Sequence, residues 1–552
     1  MRLTLPDEGR RFGLLHIFPE TRVVELDTAF SEDGDYYDNI DTIMADGNSI
    51  NTHTDSTVNL PRSRLDAVLS ETVIVVPCKD EEMSVIRGVL AAIPPPCLII
   101  IVSNCDRPTT TTTKDAINGT LNDDPYAQLV ALARRFGTWG RQVMVAHQKD
   151  REAAAAFRAA GIPELLDDTD LIRNGKGEGM LLGIALAAAF APERRYIGFV
   201  DADNFYAGSV SEYCRAFAAG FAMAGSDGTE RGGGEDTMVR LRWASKPKVC
   251  NGRLEFVSEG RCSRIVNSWL NMLFSLPGLC GGGDKNHNPL ITTGNAGEHA
   301  MTLSLAMQLR MAAGYAIEPF HFIDILTRGG LAPDTNTFDQ YAHPSEAAPP
   351  LTKPVRILQI RTLSPHFHRA SDDAHVRRMW AVGLGSVYHG LATFQHNLFH
   401  RRFSTPITTT TTNNSPHTPA PNCITPPPTR PSTPTTTTTP VTPETIANFR
   451  SSIHAFAADQ HTQPTGTGGI LDATTGELPR PMVYPPLAGM DLGKFREVML
   501  RAGAARSSLR GFRVAGLQPQ QQQQQAQQSV GVKLGEVHGQ KMWEVPVGGA
   551  YL

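Results

Sequence analysis

The sequence predicts an α/β fold with a mostly parallel central sheet flanked by helices. Three features carry that expectation: short apolar runs rich in β-branched residues, helix-like segments between them, and polar clusters directly after the runs. Thr72–Pro77 (TVIVVP), Leu98–Val102 (LIIIV), Gln142–His147 (QVMVAH) and Tyr196–Val200 (YIGFV) are the runs. Continuous apolar character, rather than alternation, is what a strand covered on both faces requires. Helices are expected over Glu81–Ile93, Pro125–Phe136, Arg151–Ala160 and Gly179–Ala191. Upstream, Phe12–Phe18 and Arg22–Leu26 read as two short strands; downstream, Val355–Thr362 reads as another.

Several segments do not fit a packed core. Ser31–Asn59 is acidic and polar, and Gly225–Asp236 and Gly278–Asn288 are polar and glycine-rich. Thr405–Pro443 is nearly all Thr, Pro, Ser and Asn, and Gln518–Gln528 is a glutamine tract. Such composition favours extended, solvated chain. The expected organisation is a main domain over 1–404 with a loop insertion at about 31–60, a disordered insertion at 405–443, a return to the same domain over 444–513, and a Gln-rich tail over 514–552.

Bulk properties exclude several classes. Hydrophobic residues make up 41% of the chain, which excludes disorder throughout. With 51 basic against 55 acidic residues, nothing draws the chain to nucleic acid or an anionic membrane. The eight cysteines form no C-x-x-C pair, which argues against a disulfide framework or a structural zinc. No apolar h-region opens the sequence, so a soluble cytoplasmic protein is expected.

In a parallel α/β sheet, ligands bind beyond the carboxyl ends of the strands, so residues there bear the chemistry. Asp201-Ala202-Asp203 follows YIGFV. Two carboxylates one residue apart suit a hard divalent cation bridging a diphosphate, although D-x-D alone is also ordinary turn chemistry. Lys79 and Asp80 follow the first run; they could meet a nucleotide, or simply open the next helix. Ser103-Asn104 has the same two readings. Arg173–Met180 (RNGKGEGM) alternates glycines with charges ahead of an apolar helix, which suits an anion, with Lys176 and Arg173 adding positive charge, or equally a flexible loop capped by the helix. Ile291–Thr302 reads as a second such turn, opening a helix whose buried face is Leu303, Met307 and Met311. After the last run, His366 and His368 (PHFH) could place an imidazole beside the aspartates; an H-x-H pair is also common without a metal.

Taken in order, these segments resemble the mannosyl-3-phosphoglycerate synthases, retaining glycosyltransferases of the GT-A fold. The resemblance rests on MRLTLPDEGRRFG, RVVELD, VIVVPCKDE, RNGKGEGM, YIGFVDADN, TTGNAGEHAMT, QIRTLSPHFH and MVYPPLAGMDL. It runs from Met1 to about Arg513, with the polar tracts as gaps and Cys78 in place of a small aliphatic residue. It implies transfer of mannose from GDP-mannose to 3-phosphoglycerate, releasing GDP.

For the site, the resemblance implies Asp203 as metal ligand, with His366 preferred over His368 for the imidazole. The ion expected is Mg2+, with Mn2+, Co2+ or Zn2+ as alternatives. Pro77, Lys79, Asp80 and Asn104 would line the guanosine pocket, and Lys176, Gly177 and Asp201 would meet the diphosphate or mannose. Gly294, Asn295, Gly297 and Thr302, with Arg361 or Arg356, would hold the acceptor. Asp201, Lys176 and Asp324 are the groups expected at the reacting centre, and Glu298 is a second carboxylate to test there. A homodimer is an expected assembly. The competing readings are a glucosyl-3-phosphoglycerate synthase, a catalytically silent nucleotide-sugar binder, and a nucleotidyltransferase releasing pyrophosphate.

Overall fold

The four apolar runs form neighbouring strands. In the computed structural model, residues 1–27, 57–106, 124–204, 206–225, 234–250, 253–276, 279, 289–330, 348–367, 373–404, 441–461, 470–472 and 474–505 are described. The strands are β1 (Arg2–Thr4), β2 (Arg10–Phe12), β3 (Leu15–Glu25), β4 (Thr57–Asn59), β5 (Thr72–Cys78), β6 (Leu98–Ser103), β7 (Val143–His147) and β8 (Tyr196–Phe199). They continue with β9 (Asp236–Arg242), β10 (Lys246–Cys250), β11 (Arg253–Val257), β12 (His299–Thr302), β13 (Met311–Ala312), β14 (Val355–Arg361) and β15 (Val483–Tyr484). One large sheet has the order β4-β1-β3-β14-β9-β12-β8-β5-β6-β7, with β2 pairing β3. β8, β5, β6 and β7 run parallel, as do β3, β14 and β9; β12 joins the two groups antiparallel to both neighbours.

Burial explains why the runs are uninterrupted. Val73, Ile74, Val75, Val76, Ile99, Ile100 and Ile101 have no solvent exposure. The helix Lys176–Phe190 is buried all round from Gly177 to Phe190, so its sequence shows no amphipathic stripe. Helices Arg151–Ala159 and Leu492–Ala505 pack against each other, with Phe157 and Phe495 edge to face at 5.0 Å. Residues after the Thr/Pro tract therefore join the same packed layer. No described helix is long and apolar enough to cross a membrane.

Three local expectations are corrected. Phe12–Phe18 and Arg22–Leu26 are not two separate strands: β3 runs unbroken from Leu15 to Glu25, and the register shift against β14 between Ile357 and Gln359 absorbs the irregularity at Pro19. The helix after the glycine segment begins at Lys176, not Gly179, so Gly177 and Gly179 lie in its first turn. The turn TTGNAG does not open a helix. His299–Thr302 forms β12, held in the sheet by β8 and β9, and only the six residues Leu303–Gln308 after it are helical. Met311 belongs to β13, so the expected helical face combined two separate elements. The Gln-rich tail, nearly all of the Thr/Pro tract and most of Ser31–Asn59 lie outside the described residues.

Candidate active site

A cavity of about 1070 Å³ opens at the carboxyl ends of the parallel strands. β5 supplies Pro77, Cys78 and Lys79, β6 leads to Asn104, β7 to Gln148, and β8 to Asp201 and Asp203. Trp243 follows β9 and His366 follows β14. Because β12 runs the other way, it is the chain entering this strand, Gly297 and Glu298, that reaches the same edge.

Lys176 stands at the centre of the charge arrangement. Its Nζ lies 2.8 Å from Asp201 Oδ1 and 3.1 Å from Glu318 Oε1. Burial works against the ammonium, but Asp201 and Glu318 outweigh it and hold its pKa well above the ordinary lysine value. Gly297 makes the cluster possible: a Cβ there would stand 2.6 Å from Asp201 Oδ2 and 3.0 Å from Lys176 Nζ.

A second group lies beside it. Burial, and then the charge of Asp201, pushes the Asp203 carboxyl up to about 6. The same two causes push Glu298 up to about 8. Burial, followed by Lys246, lowers His366 to about 3, so its imidazole is neutral. Its Nδ1 is 3.0 Å from the Tyr213 hydroxyl and 3.7 Å from Glu298 Oε1, and its ring stacks on Trp243 at 4.9 Å and 12°. Carboxylates with a neutral imidazole are suitable donors for a divalent cation. The buried Oε1 of Glu298 has no hydrogen-bond partner, a vacancy in polar pairing where such a charge fits. No closed cage of three or more His, Cys, Asp or Glu exists among the described residues.

The remaining expected residues divide. Pro77, Lys79, Asn104 and Asn295 line the cavity. Asn104 Nδ2 donates to Asn174 Oδ1, tying the end of β6 to the glycine segment. Asp80 is exposed and does not line the cavity; its neighbour Glu81 does, accepting from the Lys79 N–H at 2.7 Å. Gly177 and Gly294 are packing positions: a Cβ would meet the Ala312 carbonyl at 2.5 Å in one case and Leu270 at 2.6 Å in the other. Arg361 points its Nη2 at the Ala244 carbonyl, 3.5 Å away, and is not in the cavity wall. Thr302 pairs with Tyr196 at the start of β8, the far end of the sheet from Asp201, and its hydroxyl donates to Asp236 at 2.7 Å. His368 lies outside the described residues.

Asp324 is also elsewhere. It is fully buried and not in the cavity wall, with Oδ1 2.5 Å from Arg310 Nε and Oδ2 2.9 Å from Arg328 Nη1. Despite burial, the two guanidiniums hold its carboxyl below the ordinary aspartate range. Its position gives the expected place at the reacting centre no support.

Sequence reasoning missed Glu318, Trp243, Tyr315, Lys246 and Arg261, all in the cavity wall. Gly260-Arg261 ahead of the helix Arg261–Phe274 was a legible signal for Arg261, a cation at a helix start. Glu318 stood out only as one of two acids in an apolar run, the other being Asp324.

The family described as Mannosyl-3-phosphoglycerate synthase (osmo_MPGsynth) matches residues 5–499. The chain belongs to this family. Mannosyl-3-phosphoglycerate synthase of Pyrococcus furiosus is 36% identical over 390 residues, covering 70% of this chain and 84% of that protein. The Aeropyrum pernix enzyme of the same name is 28% identical over 389 residues, covering 70% and 85%. Among solved structures, a glucosyl-3-phosphoglycerate synthase of Mycobacterium tuberculosis with Mn2+, UDP and phosphoglyceric acid aligns at 17% identity and a TM-score of 0.34, over 60% of this chain and 83% of that one. As a member of its family, the chain is a glycosyltransferase, and both PHFH and the late segment around Tyr484 fall inside the matched span.

Proposed function

We propose that this protein transfers mannose from GDP-mannose to 3-phosphoglycerate with retention, giving 2-O-(α-D-mannosyl)-3-phosphoglycerate and GDP. The observation that carries the reading is the Lys176–Asp201–Glu318 cluster beside Asp203, Glu298 and His366 in one cavity. Residues 444–513 are assigned to the same catalytic unit as 1–404.

Each part of the cavity then has a task. Lys79 and Asn104, at the ends of β5 and β6, receive the guanosine. Asp203 and His366 would hold a divalent cation, Mg2+ first, which supplies positive charge to the departing diphosphate when bound. Lys176 carries a fixed charge toward the same oxygens, placed before reaction begins, so it favours the charge that develops as the glycosidic bond breaks. Asp201 and Glu318 orient that ammonium and are engaged by it. Their engagement favours front-face departure, in which the leaving phosphate oxygen takes the proton of the acceptor hydroxyl.

An acceptor with a phosphate and a carboxylate needs cations and free N–H groups. The cavity offers Arg261, Lys246 and Asn295, together with the N-terminus of helix Arg261–Phe274 at Gly260. Arg261 also pairs with Asp373 at the cavity rim. Arg261→Ala is therefore expected to raise KM for 3-phosphoglycerate about 10- to 100-fold, the worth of a charge-assisted hydrogen bond. KM for GDP-mannose should change little. Steady-state kinetics with each substrate varied in turn check this; a rise confined to the sugar nucleotide would place the acceptor elsewhere.

A further inference from the structure

Glu178 is the third residue of the helix Lys176–Phe190 and is 2% exposed. Both of its oxygens are bonded. Tyr484 Oη donates to Oε1 at 2.7 Å, and the Gly314 N–H donates to Oε2 at 3.1 Å. Tyr484 belongs to β15, which pairs antiparallel with β13, and the Ala313 N–H donates to the Met482 carbonyl at 2.8 Å. One buried carboxylate thus joins three chain segments. The first is the helical turn carrying Lys176. The second is the turn at Gly314 and Tyr315, which lines the cavity. The third is a strand that follows the Thr/Pro tract in sequence.

The join is tight. A side chain at position 175 would collide with the Glu178 carboxylate, and a Cβ on Gly177 would stand 2.5 Å from the Ala312 carbonyl. Gly314 has φ +57°, a left-handed conformation that aims its N–H at Glu178 and suits glycine. Lys176 is two residues from Glu178 and bonded to Glu318, which lies three residues beyond Tyr315. The contact therefore ties together the two elements whose side chains, Lys176 and Glu318, meet at the Lys176 ammonium.

We propose that Glu178 and Tyr484 are positioning residues for sugar transfer, and that the C-terminal strand Val483–Tyr484 completes the active site by clamping the Lys176 turn against the Tyr315 turn. This rests on the reading of the cavity as the transfer site. Removing the Tyr484 hydroxyl leaves a buried carboxylate oxygen without a donor, and the turn must shift to find one. The acceptor seat on helix Arg261–Phe274 is a different element and has no bond to either residue among those described here.

The test is Tyr484→Phe in the full chain, with Glu178→Gln as a second variant should the first fold poorly, and the double variant to complete the cycle. Kinetics use whichever of GDP-mannose or GDP-glucose the unmodified enzyme turns over, at a temperature well below each unfolding midpoint. The expected result is a fall in kcat of at least tenfold with KM for 3-phosphoglycerate within twofold, and a double variant no worse than the poorer single one. Unchanged kcat, or independent losses that multiply in the double variant, would overturn the proposal. A kcat loss accompanied by an equal loss of acceptor binding would mark the pair as generally structural and overturn it as well. No turnover by the unmodified enzyme with either donor would instead sink the reading on which the proposal rests.

Discussion

Asp203→Ala is expected to lower kcat about 10³-fold, the scale seen when a preorganised group stabilising leaving-group charge is removed. Burial, and then the neighbouring charge of Asp201, pushes the Asp203 carboxyl up to about 6, and a bound cation would favour its ionised form. Asp201 is already matched to Lys176 at 2.8 Å, and Asp203 lines the same cavity two residues on. The substitution leaves the Lys176–Asp201–Glu318 cluster in place, so folding and nucleotide binding should suffer much less than turnover. Measuring kcat across a Mg2+ titration, with Mn2+ binding followed by electron paramagnetic resonance, checks both halves. A variant that binds Mn2+ normally and keeps kcat within tenfold would contradict the role given to Asp203.

Asp324→Asn should act in the opposite way, on stability and not on chemistry. The native carboxylate is fully buried between Arg310 and Arg328, and Arg328 also donates to the carbonyls of Gln308 and Pro349. Asparagine keeps the shape but leaves two buried guanidiniums without their counter-charge. Breaking a buried ion pair in this way costs roughly 3–5 kcal/mol. A marked fall in the urea unfolding midpoint is expected, with kcat of the folded enzyme within about twofold of the original. Loss of kcat at unchanged stability would return Asp324 to the reacting centre, where the sequence had placed it.

The contrast between Asp324 and Glu318 shows where sequence reading stops. Both are single acids in one apolar stretch, and both end in the buried helix Ile317–Ile325. One faces Lys176 and the cavity, the other faces two arginines, and only tertiary packing chooses between them. The parallel strands β5, β6, β7 and β8 were legible because burial on both faces demands continuous apolar runs. The placement of Asp203, Asn104 and His366 followed, since strand ends in such a sheet converge.

β12 was hidden for the converse reason. Its four residues follow a polar turn, and neighbouring strands rather than local pattern make it extended. Thr302 entered the expected acceptor group through the resemblance, and its place in β12 sets it apart from that group. Thr302 pairs with Tyr196 at the start of β8, whereas Gly297 reaches the strand ends where Asp201 lies. Arg261 carries no local motif beyond its helix start, and only the packing of the helix Arg261–Phe274 brings it to the cavity wall.

The proposed activity of this cavity is the transfer of mannose to 3-phosphoglycerate. The most direct test incubates the purified full chain with GDP-mannose, 3-phosphoglycerate and Mg2+, then follows GDP release and identifies the sugar product by mass spectrometry and proton NMR. The account predicts acceptor-dependent release of GDP with an equal amount of α-linked mannosyl-3-phosphoglycerate. Turnover with GDP-glucose alone would contradict the donor, free mannose as the only sugar product would contradict the acceptor, and binding without release of GDP would contradict the enzyme assignment itself.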